Sequence, residues 1–174
     1  RSLLSAKTNF AQNPKTNYRK DIDLEKTVKS IVDAAKEAQV SAVIASDVAV
    51  MMYCRQVGVE VHLSTQLNIS NIDALKFYAQ FADVVVLARE LNMEQVAEIY
   101  KQINEQRVLG PNGNPVRIEM FCHGALCMAV SGKCYLSLHD ANRSANRGQC
   151  VQLCRRSYTV TDKETGTQLD IDNE

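Results

Sequence analysis

The sequence predicts an α/β fold built from parallel β/α units, and three observations carry that expectation. Between residues 22 and 121, short apolar runs alternate four times with segments of helical period. The runs at 41–45 and 83–88 are almost wholly apolar, as in strands of a parallel sheet covered on both faces. Turn and cap residues such as Gly58, Asn92 and the Pro111-Asn-Gly-Asn-Pro115 stretch punctuate the boundaries. Strands joined through helices imply right-handed crossovers in one sheet. A complete eight-stranded barrel needs roughly 250 residues, so a chain of 174 is either a small open sheet or part of a barrel. Periodicity leaves both open.

The elements follow in order. Residues 1–21 show no clear period and read as a lead-in. From Asp23, the spacing of Leu24, Val28, Ile31, Val32 and Ala35 predicts a helix. A strand at 41–45 and a helix over 48–56 follow, the helix stopped by Gly58. The second strand is 59–63, and Ser70 opens the next helix with Asp73 three residues on. Ala74, Leu75, Phe77, Tyr78 and Phe81 are its expected buried face. After the third strand at 83–88, Asn92 and Gln95 cap a helix running through Val96, Ile99, Tyr100 and Ile103. The fourth strand is 116–121. Residues 22–121 therefore form the β/α units, 122–158 a cysteine-rich basic loop of the same domain, and 159–174 an acidic tail.

Composition narrows the class. With 45% hydrophobic and 23% charged residues the chain is globular rather than disordered. No apolar run is long enough to cross a bilayer. The polar opening carries no charged-then-apolar leader, so a cytoplasmic protein is expected. Formal net charge is zero but unevenly spread. Residues 117–158 hold Arg117, Lys133, Arg143, Arg147, Arg155 and Arg156 against only Glu119 and Asp140. Most such clusters are solvated surface. An excess dominated by Arg also suits an anion site, here Arg143, Arg147, Arg155 and Arg156, because guanidinium pairs bidentately with phosphate or carboxylate.

Ligands of parallel α/β folds gather at the carboxyl ends of the strands. Those ends carry Ser46 and Asp47, Ser64 to Gln66, Arg89 and Glu90, then Phe121 to His123. Arg89-Glu90 sits where a barrel places an internal ion pair, structural or catalytic. His62 shares a strand face with Ser64 and could meet His123 across a barrel mouth, whereas Cys122 and His123, being adjacent, point to opposite sides.

Five of six cysteines fall at 122, 127, 134, 150 and 154, while Cys54 lies on a helix and reads as a small buried hydrophobe. Disulfides are disfavoured in a reducing compartment. Zinc ligands usually come in pairs two to four residues apart, which only Cys150 and Cys154 approach. Iron–sulfur ligation tolerates looser spacing. A nucleophilic Cys beside His123 or His139 is a further option. Spacing leaves iron–sulfur and zinc equally open.

The stretch Phe121-Cys-His-Gly-Ala-Leu-Cys-Met-Ala-Val-Ser-Gly-Lys-Cys-Tyr-Leu-Ser137, with Asn146-Arg-Gly-Gln-Cys150 and Cys154, resembles the signature of the U32 family, named for collagenase-like peptidases. Ala45-Ser-Asp47, His62-Leu-Ser-Thr-Gln66 and Leu87-Ala-Arg-Glu90 match as well, so the likeness covers about 22–158. It implies a TIM-like barrel of which this chain holds the central units. It also implies a four-cysteine iron–sulfur (4Fe-4S) cluster, since relatives that hydroxylate RNA bases or act in oxygen-independent ubiquinone synthesis carry one. Cys127, Cys134 and Cys150 match that pattern, and Cys154 is the nearest candidate for the fourth ligand. Cys122 departs from it.

Neither an HExxH helix nor a GxSxG elbow occurs. The resemblance therefore implies first an iron–sulfur enzyme hydroxylating an RNA base such as one in tRNA, with His123, Arg89, Glu90 and His62 as catalytic candidates. The rivals are a peptidase cleaving collagen-like substrates and a zinc-stabilised binding module. The chain alone is expected to be inactive and without its cluster, its cysteine loop partly disordered, bound to adventitious metal, or locked by non-native disulfides such as Cys127 with Cys134. It is also expected to self-associate through open strand edges.

Overall fold

The computed structural model describes residues 3–5, 24–124, 127–145 and 148–171. Five strands form one sheet in the order β1-β2-β3-β4-β5, every neighbouring pair parallel. They are β1 (Leu3–Ser5), β2 (Ala42–Ala45), β3 (Val61–Leu63), β4 (Val84–Val86) and β5 (Arg117–Glu119). Helices α1 (Leu24–Glu37), α2 (Val48–Val57), α3 (Ile72–Ala79) and α4 (Met93–Glu105) alternate with them. The mixed α/β fold of parallel β/α units is as expected. Strand order equals chain order, with no reversal, which is compatible with part of a TIM-like wall.

One further strand lies where the opening residues read as lead-in. β1 is three residues long and registers Leu3 on Ala42 and Ser5 on Ile44. Three residues are too few to show a period, and only pairing reveals the strand. The remainder of the lead-in lies outside the described residues.

Strand alternation sorts the sheet into two faces. Val43, Ala45, Val61, Leu63, Val85 and Leu87 belong to one buried core with Val32, Met51, Leu75 and Ile103 from the helices. The opposite face carries Glu60, His62, Arg117 and Glu119. There Arg117 Nη2 lies 2.7 Å from Glu60 Oε1, and His62 Nδ1 lies 3.6 Å from Glu119 Oε2. Both contacts pass over β4, from β3 to β5.

The caps act much as their residue types predict. Asp47 Oδ1 accepts from Val50 N at 3.1 Å, and Gly58 closes α2 at φ 75°, in the left-handed region. Asn92 and Gln95 form a reciprocal capping box, both bonds 2.9 Å. The cap of α3 is Asn71 rather than Ser70, because its Oδ1 reaches Ala74 N at 2.8 Å. Two expected core aromatics are also displaced. Leu75 and Ala79 form the buried line of α3, which turns Phe77 outward at 58% exposure, edge-on to Tyr78 and Phe81. On α4, Val96, Ile99 and Ile103 take the core and Tyr100 faces out.

The terminal segment is ordered as well. β6 (Tyr158–Thr161) and β7 (Gln168–Ile171) form an antiparallel hairpin, so the expected boundary at 158 falls inside a strand. A short helix α5 (Leu136–Ala141) interrupts the cysteine-rich segment. No described helix is long and apolar enough to cross a membrane.

Candidate functional site

The carboxyl ends of the strands and the segment that follows β5 meet at one end of the sheet, and a single serine ties that segment to the ends of β3 and β4. Ser131 is fully buried. Its hydroxyl receives Arg89 Nε at 3.3 Å and Arg89 Nη2 at 3.2 Å, and lies 3.4 Å from Thr65 Oγ1. Its backbone N–H donates to Glu90 Oε1 at 3.2 Å. Arg89 and Glu90 were expected to pair with each other. Instead, both grip the loop, one through the Ser131 hydroxyl and the other through its amide.

Gly132 completes the dock. Its φ is +76°, and a Cβ there would come 2.5 Å from Gln66 O and 3.2 Å from Gln66 Cα. Only glycine lets the loop approach the β3 end so closely. Gln66 is itself tied to the neighbouring strand end, its Oε1 accepting from Ser46 Oγ at 3.2 Å. Farther along, the Ser137 hydroxyl, also buried, accepts from Val151 N at 3.2 Å and draws the loop back on itself.

The cysteines divide into two kinds. Cys54 is buried in the core, and burial pushes its thiol up to about 11, the behaviour of an inert structural thiol. Cys127 and Cys150 are exposed, and Cys134 and Cys154 half-buried. Cys127 Sγ accepts from Arg89 Nη1 at 2.9 Å, which places one proposed ligand beside the docking arginine. Cys150 Sγ accepts from Gln152 N at 3.4 Å. All six are free thiols, so the expected Cys127–Cys134 pairing is not formed. Among the described residues no three His, Cys, Asp or Glu side chains are gathered closely enough to hold one metal ion. As arranged here, Cys127, Cys134, Cys150 and Cys154 do not form a ligand set for a cluster or for zinc.

The histidines separate too. His62 is only 14% exposed, with Nε2 3.3 Å from Glu60 Oε1 and Nδ1 facing Glu119 rather than His123. It belongs to the charged sheet face, not to the strand ends. His123 lines a cleft of about 320 Å³ between the ends of β4 and β5, together with Leu87, Arg89, Met120, Phe121 and Cys122. Phe121 is 57% exposed, with the Arg89 guanidinium 5.9 Å from its ring centroid. Arg143, Arg155 and Arg156 are exposed on the docked segment, and Arg147 lies outside the described residues. Phe121 and Ser131 were visible as strand-end and motif neighbours, but nothing in the spacing marked either as a site residue.

A parallel β/α wall, with a cysteine- and arginine-bearing loop docked at its strand ends, defines an α/β protein whose candidate site lies at the carboxyl end of the sheet. The chain belongs to peptidase family U32, whose model matches residues 17–174. It is similar to a collagenase of Porphyromonas gingivalis strain W83, at 66% identity over 157 residues, covering 90% of this chain and 37% of that protein. It is also similar to the tRNA hydroxylation protein P1 of Bacillus subtilis, at 38% identity over 136 residues, covering 76% of this chain and 30% of that protein. The 23S rRNA 5-hydroxycytidine C2501 synthase of Escherichia coli K12 is 41% identical over 107 residues, covering 61% of this chain and 15% of that protein. The chain thus spans well under half the length of these relatives. No solved structure matches it significantly.

Proposed function

We propose that this chain forms the substrate-facing part of an enzyme that hydroxylates a base in RNA. The observation that carries the reading is the cleft of Arg89, Phe121 and His123 at the strand ends, beside an arginine-bearing loop held there through Ser131. The tRNA and rRNA hydroxylation names of relatives support it. On this reading Arg89 orients the substrate, His123 exchanges a proton at the rim, and exposed arginines attract phosphates in a salt-dependent way. The sequential parallel sheet is read as part of a closed TIM-like barrel, and the whole protein as cytoplasmic.

A four-thiolate iron–sulfur cluster remains a proposal for the whole protein. Bound there, it would supply redox chemistry, and Cys127, Cys134, Cys150 and Cys154 would first have to converge from their present positions.

A peptidase is the second reading, favoured by the 66% identity to a protein named collagenase. It calls for an activated nucleophile or a metal-bound water. The His62 imidazole is instead engaged by a carboxylate, its Nε2 3.3 Å from Glu60 Oε1.

The test is anaerobic purification of the whole protein, followed by iron and sulfide assays, RNA binding across salt, and collagen-peptide cleavage. Iron with sulfide is expected, together with RNA affinity whose salt slope falls by about one for each of Arg143→Gln and Arg156→Gln that removes a phosphate contact. Collagen cleavage surviving replacement of every cysteine, without RNA affinity, would replace this reading with the peptidase.

A further inference from the structure

Resting on the RNA reading, we infer that the cleft between the ends of β4 and β5 is a single-base pocket, in which an unstacked base of single-stranded RNA lies on the ring of Phe121. Phe121 follows β5, lines the cleft and is 57% exposed. An aromatic ring left that open inside a concavity, on a chain with few aromatics, provides a stacking platform. The cleft has a volume of about 320 Å³, the lower end of the range for small-molecule sites. That accommodates one base with part of its ribose and is small for several side chains of an extended peptide.

Arg89 supplies the polar edge. A guanidinium has five N–H groups in one plane. Nε donates to Ser131, Nη1 to Cys127 and Nη2 to Ser131. One N–H on each terminal nitrogen is left uncommitted among the described residues. The other contacts hold the fork in place, and the two remaining donors are of the kind that pairs with carbonyl acceptors on a base edge. Met120 and Leu87 close the apolar side, and His123 stands at the rim. Backbone phosphates need not enter the cleft, because the arginine-bearing loop lies outside it. Base and phosphate recognition are then carried by different residues and can be separated experimentally.

The probe is a short single-stranded oligoribonucleotide with one 5-iodouridine, photocrosslinked to the full chain and mapped by mass spectrometry. The crosslink is expected within residues 120–124. Phe121→Ala should weaken binding on the order of tenfold or more, by the same factor at every salt concentration, and Phe121→Tyr should restore it. Because Phe121 is largely exposed, the alanine variant should fold, as circular dichroism can check. RNA that binds but crosslinks elsewhere, or binds Phe121→Ala unchanged, overturns the pocket and leaves the RNA reading standing. No RNA binding at all overturns both. Loss of collagen-peptide binding, rather than of RNA binding, in Phe121→Ala assigns the cleft to a peptide and also overturns the inference.

Discussion

Ser131 and Gly132 hold the cysteine-bearing loop by two different means. The serine is a buried hydroxyl with three side-chain contacts and an amide on Glu90. The glycine is a backbone shape that no other residue adopts at φ +76° without strain. Ser131→Ala should therefore cost about 1.5–3 kcal/mol and loosen the loop without displacing it. Gly132→Ala should cost roughly 1–3 kcal/mol from backbone strain alone, with the approach to Gln66 adding to it. Hydrogen exchange at residues 127–138 is the appropriate measurement. Faster exchange there in both variants, and absent from α1 and α2, is expected. Equal exchange in both variants and wild type would show that the loop is held elsewhere. Asp83 is a comparable pin at the other end of the sheet, accepting from Asn112 N at 3.0 Å and from Asn112 Nδ2 at 2.9 Å, with Gly110 packed against it.

Among the elements, the hairpin β6–β7 stands least supported. Tyr158 pairs with Ile171 and Val160 with Leu169 on one face, all four exposed, and an isolated two-stranded hairpin is marginal in water. Its turn is organised by Asp162, whose carboxylate accepts from Thr165 N at 3.0 Å and Glu164 N at 2.8 Å. Those bonds, Thr165 first, hold its carboxyl below the usual range. A depressed folded value means that the contribution is complete above the ordinary aspartate range near 4 and is lost as pH falls through the folded value. Protection of the Glu164 and Thr165 amides, measured relative to their intrinsic exchange at each pH, should fall on acidification below about pH 4, and Asp162→Asn should blunt that response. Unchanged protection would mean the turn is held by its backbone alone.

The four β/α units were legible because each carries many residues of one period, and caps such as Asp47 and Asn92 act through local chemistry. β1 and the hairpin were not legible, being only three or four residues per strand and defined by pairing rather than by pattern. Site legibility followed the same division. Arg89, Glu90 and His123 could be placed at strand ends from order alone. That Arg89 and Glu90 would grip Ser131, and that His62 would face Glu119, depends on contacts more than forty residues apart in sequence or across an intervening strand, which no local pattern encodes.

For the whole molecule, the sheet presents β1 and β5 as edges among the described residues, with unpaired backbone groups along each. The 174-residue chain alone should therefore self-associate with rising concentration in sedimentation equilibrium. A clean monomer at high concentration would show that those edges are covered. The larger question is the chemistry served by the strand-end cleft, and it is best put to the intact protein in its own cells. Nucleosides from tRNA and rRNA would be compared by mass spectrometry between cells lacking the protein, cells carrying it, and cells carrying Arg89→Lys, which loses the planar fork on Ser131 and Cys127. One hydroxylated nucleoside is expected to vanish without the protein, return with it, and remain at least several-fold reduced with the lysine variant. Unchanged nucleosides in all three strains, with collagen-peptide cleavage by the purified protein tracking Arg89, would contradict the RNA reading.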